Sequence, residues 1–244
     1  MPTTNTQTGT RVDEIADGIY RLSTPVPATV IPGGFTFNQY LVVDDEPLLF
    51  HTGPRGIFAL VREAIASVMP IDRLRWIGLS HLEADECGGL NALLDAAPKA
   101  APVCSRVAAL VSINDLSDRP ARALADGDVL KLGARSVTWL DAPHVPHGWD
   151  CGFMFESKTR TLLCGDLLTQ GGADHPPTTD NDIIGPSEKF RSMMDYYSHS
   201  TNSAAVFERL ASTEPTTLAC MHGSAWKGDG AKVLRELSVV LAGP

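Results

Sequence analysis

Four short apolar runs in this sequence give way to side chains able to bind a metal, and that recurrence constrains the fold more than any other feature. The run 74–80 leads into His81-Leu82-Glu83-Ala84-Asp85-Glu86. The run 136–140 opens the loop 141–150, which holds His144 and His147; the run 161–165 ends at Asp166, and the run 216–221 ends at His222. Short apolar runs closed by turn residues read as buried strands, and α/β proteins carry their chemistry in loops beyond strand ends. A chain with metal-capable groups at four such ends, in both halves, has to bring those ends to a common rim.

The remaining pattern supplies elements for that arrangement. Ile19 to Leu22, Phe37 to Val43, the run ending at Phe50 and Cys151 to Glu156 read as further strands, the early ones antiparallel. From Ile57 to Met69 apolar residues recur at helical spacing until Pro70. Helices are also predicted over 90–97, stopped by Pro98, over one long stretch from Ser187 to Leu210, and over the closing amphipathic segment 231–242. The stretch from Leu167 to Pro186 has no regular pattern. The expectation is an α/β (α+β) protein of one domain over residues 1–244, with residues 1–10 as a flexible N-terminal tail.

Composition removes several function classes. Hydrophobic residues at 43% and charged residues at 20% exclude a disordered or fibrous chain. A net charge of -9 without a basic run argues against a nucleic-acid partner. Five Cys without a C-x-x-C pair fit reduced thiols, and the polar N-terminus has no signal-like segment. No apolar run approaches the roughly 20 residues of a spanning helix, so a cytoplasmic protein without membrane contact is expected.

His81, Glu83 and Asp85 alternate with small or apolar residues, a spacing that can set three ligands around one cavity. Taken alone, the stretch reads equally as an acidic surface loop. His147, Asp166 and His222 at the other strand ends turn the reading toward metal. The order H-x-E-x-D, a distant His, Asp in a G-D element and His in an H-G element resembles the metallo-β-lactamase fold. Within it, the chain resembles the di-iron branch, the flavodiiron proteins and their stand-alone oxygen-binding relatives. Supporting matches are 38–42 (NQYLV), 49–53 (LFHTG) where the family has an acidic D-T-G, Tyr196-Tyr197, and the interval from His147 to Asp166; the likeness covers Ile19 to the C-terminus.

The resemblance implies a four-layer αββα sandwich. It also implies one metal held by His81, Glu83 and His147, a second held by Asp85 and His222, and Asp166 bridging them. The implied cofactors are two iron ions, with zinc or manganese as alternatives. No flavin is expected in this chain, because the family's flavin domain follows the metal domain and this sequence stops at Pro244. The implied function is binding of dioxygen or another diatomic ligand, with reduction of O2 or NO given electrons from a separate redox partner protein, or oxygen sensing or carriage; a homodimer is a further expectation. Zinc hydrolases of the fold have imidazoles where Glu83 and Glu86 stand, and hard carboxylate oxygens favour iron or manganese over tetrahedral zinc. The alternative function is a di-metal hydrolase of esters, lactones, thioesters or β-lactams using metal-bound hydroxide. A third is a scaffold acting through protein contacts.

Departures from the family pattern leave choices open. Glu86 stands where many relatives have His, so it either adds a carboxylate ligand or leaves a water-filled position. His51 replaces the acidic residue before T-G and is expected to donate a hydrogen bond instead. His147 is preferred to His144 because its H-x-x-D context and interval to Asp166 fit. His175 and His199 read as surface residues, with His175 a candidate for lining the pocket. Tyr196 and Tyr197 read as core packing or as pocket residues, and Cys87 as a small buried thiol. No G-x-S-x-G elbow and no E-x-x-H helical pair is present, which removes a serine hydrolase and a ferritin-like bundle.

Overall fold

A computed structural model describes residues 3–243. The first half forms one sheet whose strands lie side by side in chain order: β1 (Thr3–Asn5), β2 (Thr10–Ala16), β3 (Ile19–Val26), β4 (Phe35–Val42), β5 (Leu48–Phe50), β6 (Trp76–Gly78), β7 (Ala101–Ser105) and β8 (Arg122–Leu124). Strands β1 to β5 pair antiparallel through short turns. From β5 onward the pairing is parallel, because helical crossovers carry the chain back. These crossovers are α1 (Phe58–Ala66), the short α2 (Ala84–Cys87) with α3 (Leu90–Ala96), and α4 (Arg106–Ala108) with α5 (Asn114–Leu116).

The second half forms another sheet from β9 (Val129–Lys131), β10 (Ser136–Asp141), β11 (Gly152–Glu156), β12 (Thr161–Leu163), β13 (Thr178–Thr179), β14 (Thr217–Ala219) and β15 (Ala225–Lys227). Its lateral order is β13-β15-β14-β12-β11-β10-β9. Helices α6 (Ile184–Met193) and α7 (Ser203–Ala211) precede β14, and α8 (Gly230–Leu241) follows β15.

Strand alternation divides the apolar side chains into three cores. Tyr40, Phe50 and Trp76 of the first sheet meet Trp139, Met154 and Leu163 of the second. Their chain neighbours point outward: Leu41, Leu49 and Ile77 pack on Val61 and Ile65 of α1 and Leu93 of α3. On the other side Leu162 and Leu218 pack on Phe207 of α7 and Leu234 and Leu237 of α8. The layers are therefore helix, sheet, sheet, helix, and the inner core fixes the two sheets face to face.

Several expectations need correction. The long helix predicted from Ser187 to Leu210 is two helices, α6 and α7, separated at Met194, which is extended (φ -145°, ψ 93°). The intervening Asp-Tyr-Tyr-Ser-His-Ser-Thr-Asn stretch is made of weak helix formers. It is held elsewhere, because Ser198 N–H donates to Pro146 O at 2.7 Å. Tyr196 and Tyr197 thus lie outside any helix. The unpatterned stretch after Leu167 contains β13, which pairs with β15. Asp85 and Glu86 sit on a turn of helix, α2, within the expected loop. Within the expected N-terminal tail, Met1 and Pro2 lie outside the described residues, and Thr3–Asn5 pair with β2 as an edge strand. No helix among the described residues is long and apolar enough to cross a membrane.

Phe207 is fully buried between α7 and the second sheet. Replacing it with Ala is expected to lower unfolding free energy by about 3–5 kcal/mol in a urea titration.

Candidate metal centre

The paired sheets bring the four strand ends to one rim. His81 lies just beyond β6, Glu83, Asp85 and Glu86 follow on and before α2, His147 sits in the β10–β11 loop, Asp166 lies past β12, and His222 lies past β14. His81, Glu83, His147 and Asp166 each offer one ligand atom, all within 4.8 Å of one another, and Glu83, Asp85 and Glu86 form a second such group. His144 is exposed, with its backbone N–H turned to Gly148 O. The geometry thus brings in His147 and leaves His144 out.

Asp166 is the joint between two sets of donors. Its Oδ2 lies 3.5 Å from His81 Nε2 and 3.4 Å from His147 Nε2. Its Oδ1 lies 3.2 Å from His222 Nε2, which is also 3.5 Å from Asp85 Oδ2. Glu83 Oε1 reaches to 3.1 Å from His147 Nε2. His81 Nε2 and His147 Nε2 are 2.9 Å apart. His81, Glu86, Asp166 and His222 are buried, whereas Glu83 is about half exposed and marks the open side.

Hydrogen bonding behind the imidazoles fixes which nitrogen faces inward. His147 Nδ1 donates to Tyr196 O and His222 Nδ1 donates to Thr36 O, each at 2.7 Å. A neutral imidazole with its proton on Nδ1 presents a bare lone pair at Nε2. Both Nε2 atoms therefore point lone pairs at carboxylate oxygens, an arrangement that a cation between them stabilises and that its absence leaves repulsive. The donor set fits a metal on this ground. Gly223, at φ 95°, lets the chain turn directly after His222, where a Cβ would come 2.6 Å from the Gln170 side chain.

His81 is oriented differently. Its Nδ1 lies 2.9 Å from Ser80 Oγ, which lies 2.8 Å from Nε2 of the buried His51. Only one direction of this chain leaves His81 Nε2 bare: His81 Nδ1–H donates to Ser80 Oγ, and the Ser80 hydroxyl donates to His51. In that direction His51 accepts, whereas the donation expected from sequence goes with the reverse direction, in which the His81 Nε2–H faces His147 Nε2. Burial pushes His51 down to about 3, which keeps its imidazole neutral. Its left-handed backbone (φ 67°) costs roughly 1–2 kcal/mol. The bond from its N–H to Gly78 O at 2.8 Å and the stacked Phe50 ring hold it there.

The electrostatics reflect the same crowding. Burial works to raise Asp166, but the His222, His81 and His147 imidazoles hold it well below the usual carboxylate range. Desolvation opposes protonation of His147 and His222, yet Glu83 and Asp166 raise the first, and Asp166 and Asp85 raise the second. Glu86 is pushed well above the carboxylate range by burial and by Asp166 and Asp85.

Other residues singled out from sequence lie apart. His175 Nε2 donates to Gly171 O, and His199 pairs with Asp195 at 2.6 Å on the surface. All five cysteines are free thiols; Cys87 is half-buried, and its Sγ donates to His81 O. Tyr197 packs in the outer core, while Tyr196 flanks His147 with ring centroids 6.2 Å apart. Phe35 stacks on His222 at 4.2 Å and closes that side. Ser80, Thr36 and Phe35 escaped sequence reasoning. Two of them act through a hydroxyl or a main-chain carbonyl, and Phe35 through a ring face, none of which leaves a motif.

Layering and rim define a protein of the metallo-β-lactamase fold class. The sequence profile of the ODP family beta lactamases matches residues 35–223, and the chain belongs to that family. Among curated relatives, the rubredoxin-oxygen oxidoreductase of Megalodesulfovibrio gigas is 28% identical over 209 residues, covering 82% of this chain and 51% of that protein. The nitric oxide reductase of Moorella thermoacetica is 25% identical over 216 residues, covering 85% of this chain and 54% of that protein. The chain thus spans about half the length of these relatives. Among solved structures, the Desulfovibrio gigas rubredoxin oxygen:oxidoreductase superposes with a TM-score of 0.79 at 23% identity, over 94% of this chain and 61% of that one. A fragment of a Nostoc diflavin flavoprotein superposes with a TM-score of 0.81 at 17% identity, over 95% and 96%.

Two outcomes are expected. Ser80→Ala, which cuts His51 from His81, lowers metal affinity roughly 10–100-fold in a chelator competition while leaving the circular dichroism spectrum unchanged. Metal affinity also falls on acidification. His147 and His222 are raised in the metal-free protein and must lose their protons to bind, so the loss begins above the ordinary imidazole value of about 6.5, as read by titration calorimetry across pH.

Proposed function

We propose that the chain is a metal-binding domain that holds two iron ions and reduces O2 or NO with electrons from a separate donor. The observation that carries this reading is the placement of Asp166, with one carboxylate oxygen turned to His81 and His147 and the other to His222. His81, Glu83 and His147 would hold one ion, Asp85 and His222 the other, with Asp166 shared. When bound, such a pair supplies two electrons through ferrous–ferric cycling and open positions for a diatomic ligand.

The protein's own groups prepare that chemistry. Tyr196 O, Thr36 O and Ser80 Oγ lock three imidazoles in the orientation that keeps Nε2 available. Phe35 and Phe37 against His222 exclude water from one wall. The half-exposed Glu83 leaves the opposite side open to a small ligand and to a donor. Burial pushes the Tyr196 hydroxyl up to about 12, so it keeps its proton at neutral pH. Reduction of O2 to water takes four electrons, twice what the two irons hold, which is why an external donor is part of the proposal. The names of the curated relatives, an oxygen oxidoreductase and a nitric oxide reductase, support the same direction. The carboxylates Glu83 and Glu86 weigh against a zinc hydrolase.

Anaerobically reduced, iron-loaded protein mixed with O2 or NO in a stopped-flow spectrometer is expected to show rapid reoxidation and a returning near-ultraviolet absorption. About two irons per chain by plasma mass spectrometry accompany it. An inert reduced protein, together with turnover of chromogenic esters by a zinc-loaded form, would refute the redox reading.

A further inference from the structure

Glu86 is fully buried, and neither of its carboxylate oxygens has a hydrogen-bond partner. No Lys or Arg among the described residues pairs with it, and burying an ionised carboxylate without donors is strongly unfavourable. The backbone leaves it no escape: Glu86 O accepts from Thr52 N–H at 2.8 Å and from Thr52 Oγ1 at 2.9 Å, which ties α2 to the end of β5. Its side chain is turned to the centre. Oε2 lies 4.0 Å from His81 Nε2, and ligand oxygens of Glu86, Asp85 and Glu83 lie within 4.8 Å of one another.

The donors divide unevenly without it. His81, Glu83, His147 and Asp166 make one group of four. On the other side His222 has only Asp85 and the second oxygen of Asp166. We propose that Glu86 is a metal ligand that completes this second half, giving it one imidazole and three carboxylates against two imidazoles and two carboxylates in the first. The inference rests on the two-metal reading above.

Two consequences follow from the chemistry of the donors. Ionised as ligands, Glu83, Asp85, Glu86 and Asp166 would carry four negative charges, which two divalent cations would neutralise within a buried site. Replacing an imidazole by a hard oxygen donor also narrows the advantage of iron over manganese, because imidazole nitrogen suits iron while carboxylate oxygen accepts manganese readily. The His222 half is therefore the more tolerant of Mn2+.

The test uses the metal-free protein titrated with Mn2+, free ion being read from its paramagnetic resonance signal. The wild type is expected to bind two ions. Glu86→Ala is expected to keep one and to bind the second roughly tenfold or more weakly. Glu86→His, which keeps a ligand but removes the charge, is expected to bind two ions and to shift Fe2+/Mn2+ competition several-fold toward Fe2+. Circular dichroism of each metal-free variant checks the fold, and should Glu86→Ala fail to fold, the competition in Glu86→His decides. Two equally tight ions in Glu86→Ala, or unchanged competition in Glu86→His, overturn the role of Glu86 and leave the two-metal reading intact. Fewer than two ions in the wild type overturn both.

Discussion

Face-to-face packing of the two sheets is the constraint on which everything else in this molecule depends. Tyr40, Phe50 and Trp76 from one sheet fill the spaces between Trp139, Met154 and Leu163 of the other, and that dry core sets the distance between strand ends that carry the chemistry. His81 comes from the first sheet, while His147, Asp166 and His222 come from the second. Their separations of 3 to 4 Å express the fit of that core as much as any local preference. Loops then act as rigid extensions, because each is bonded to something across the rim: Tyr196 O to His147, Thr36 O to His222, and Asp150 to the backbone of Leu82.

Within that frame, charge and protonation are arranged for a guest cation. Three imidazoles face four carboxylates at close range, and hydrogen bonds behind His147 and His222 forbid these rings from donating inward while neutral. The shifts of Asp166 and Glu86, one down and the other up, show how unevenly a set of crowded carboxylates shares the available positive charge. His51 shows a local substitution absorbed by the same logic. Where the family has an acidic residue, a buried neutral imidazole reaches His81 through the Ser80 hydroxyl.

Much of this was legible in the chain beforehand, for physical reasons. Buried strands announce themselves by short apolar runs, so the elements leading to His81, Asp166 and His222 could be drawn from sequence, as could α1, α3 and α8. The helix from Ser187 to Leu210 could not be divided correctly. Its apolar spacing persists through Met194 and Tyr197, and only the bond from Ser198 to Pro146 and the weak helix propensity of the linking residues reveal the break. The pairing of β13 with β15 was invisible for a related reason, since a two-residue strand carries no periodicity.

The sequence by itself determined the inventory: which donors exist, that carboxylates replace imidazoles at Glu83 and Glu86, and that each donor follows a strand. Tertiary structure alone decided that His147 and not His144 enters the cluster, that Asp166 turns its two oxygens to opposite sides, and that the Glu86 carboxylate is buried without a hydrogen-bond partner. The reason is range. Periodicity and turn chemistry report on neighbours a few residues apart, whereas the meeting of His81 with His147, and of Asp85 with His222, is fixed by the packing of two sheets formed from distant parts of the chain.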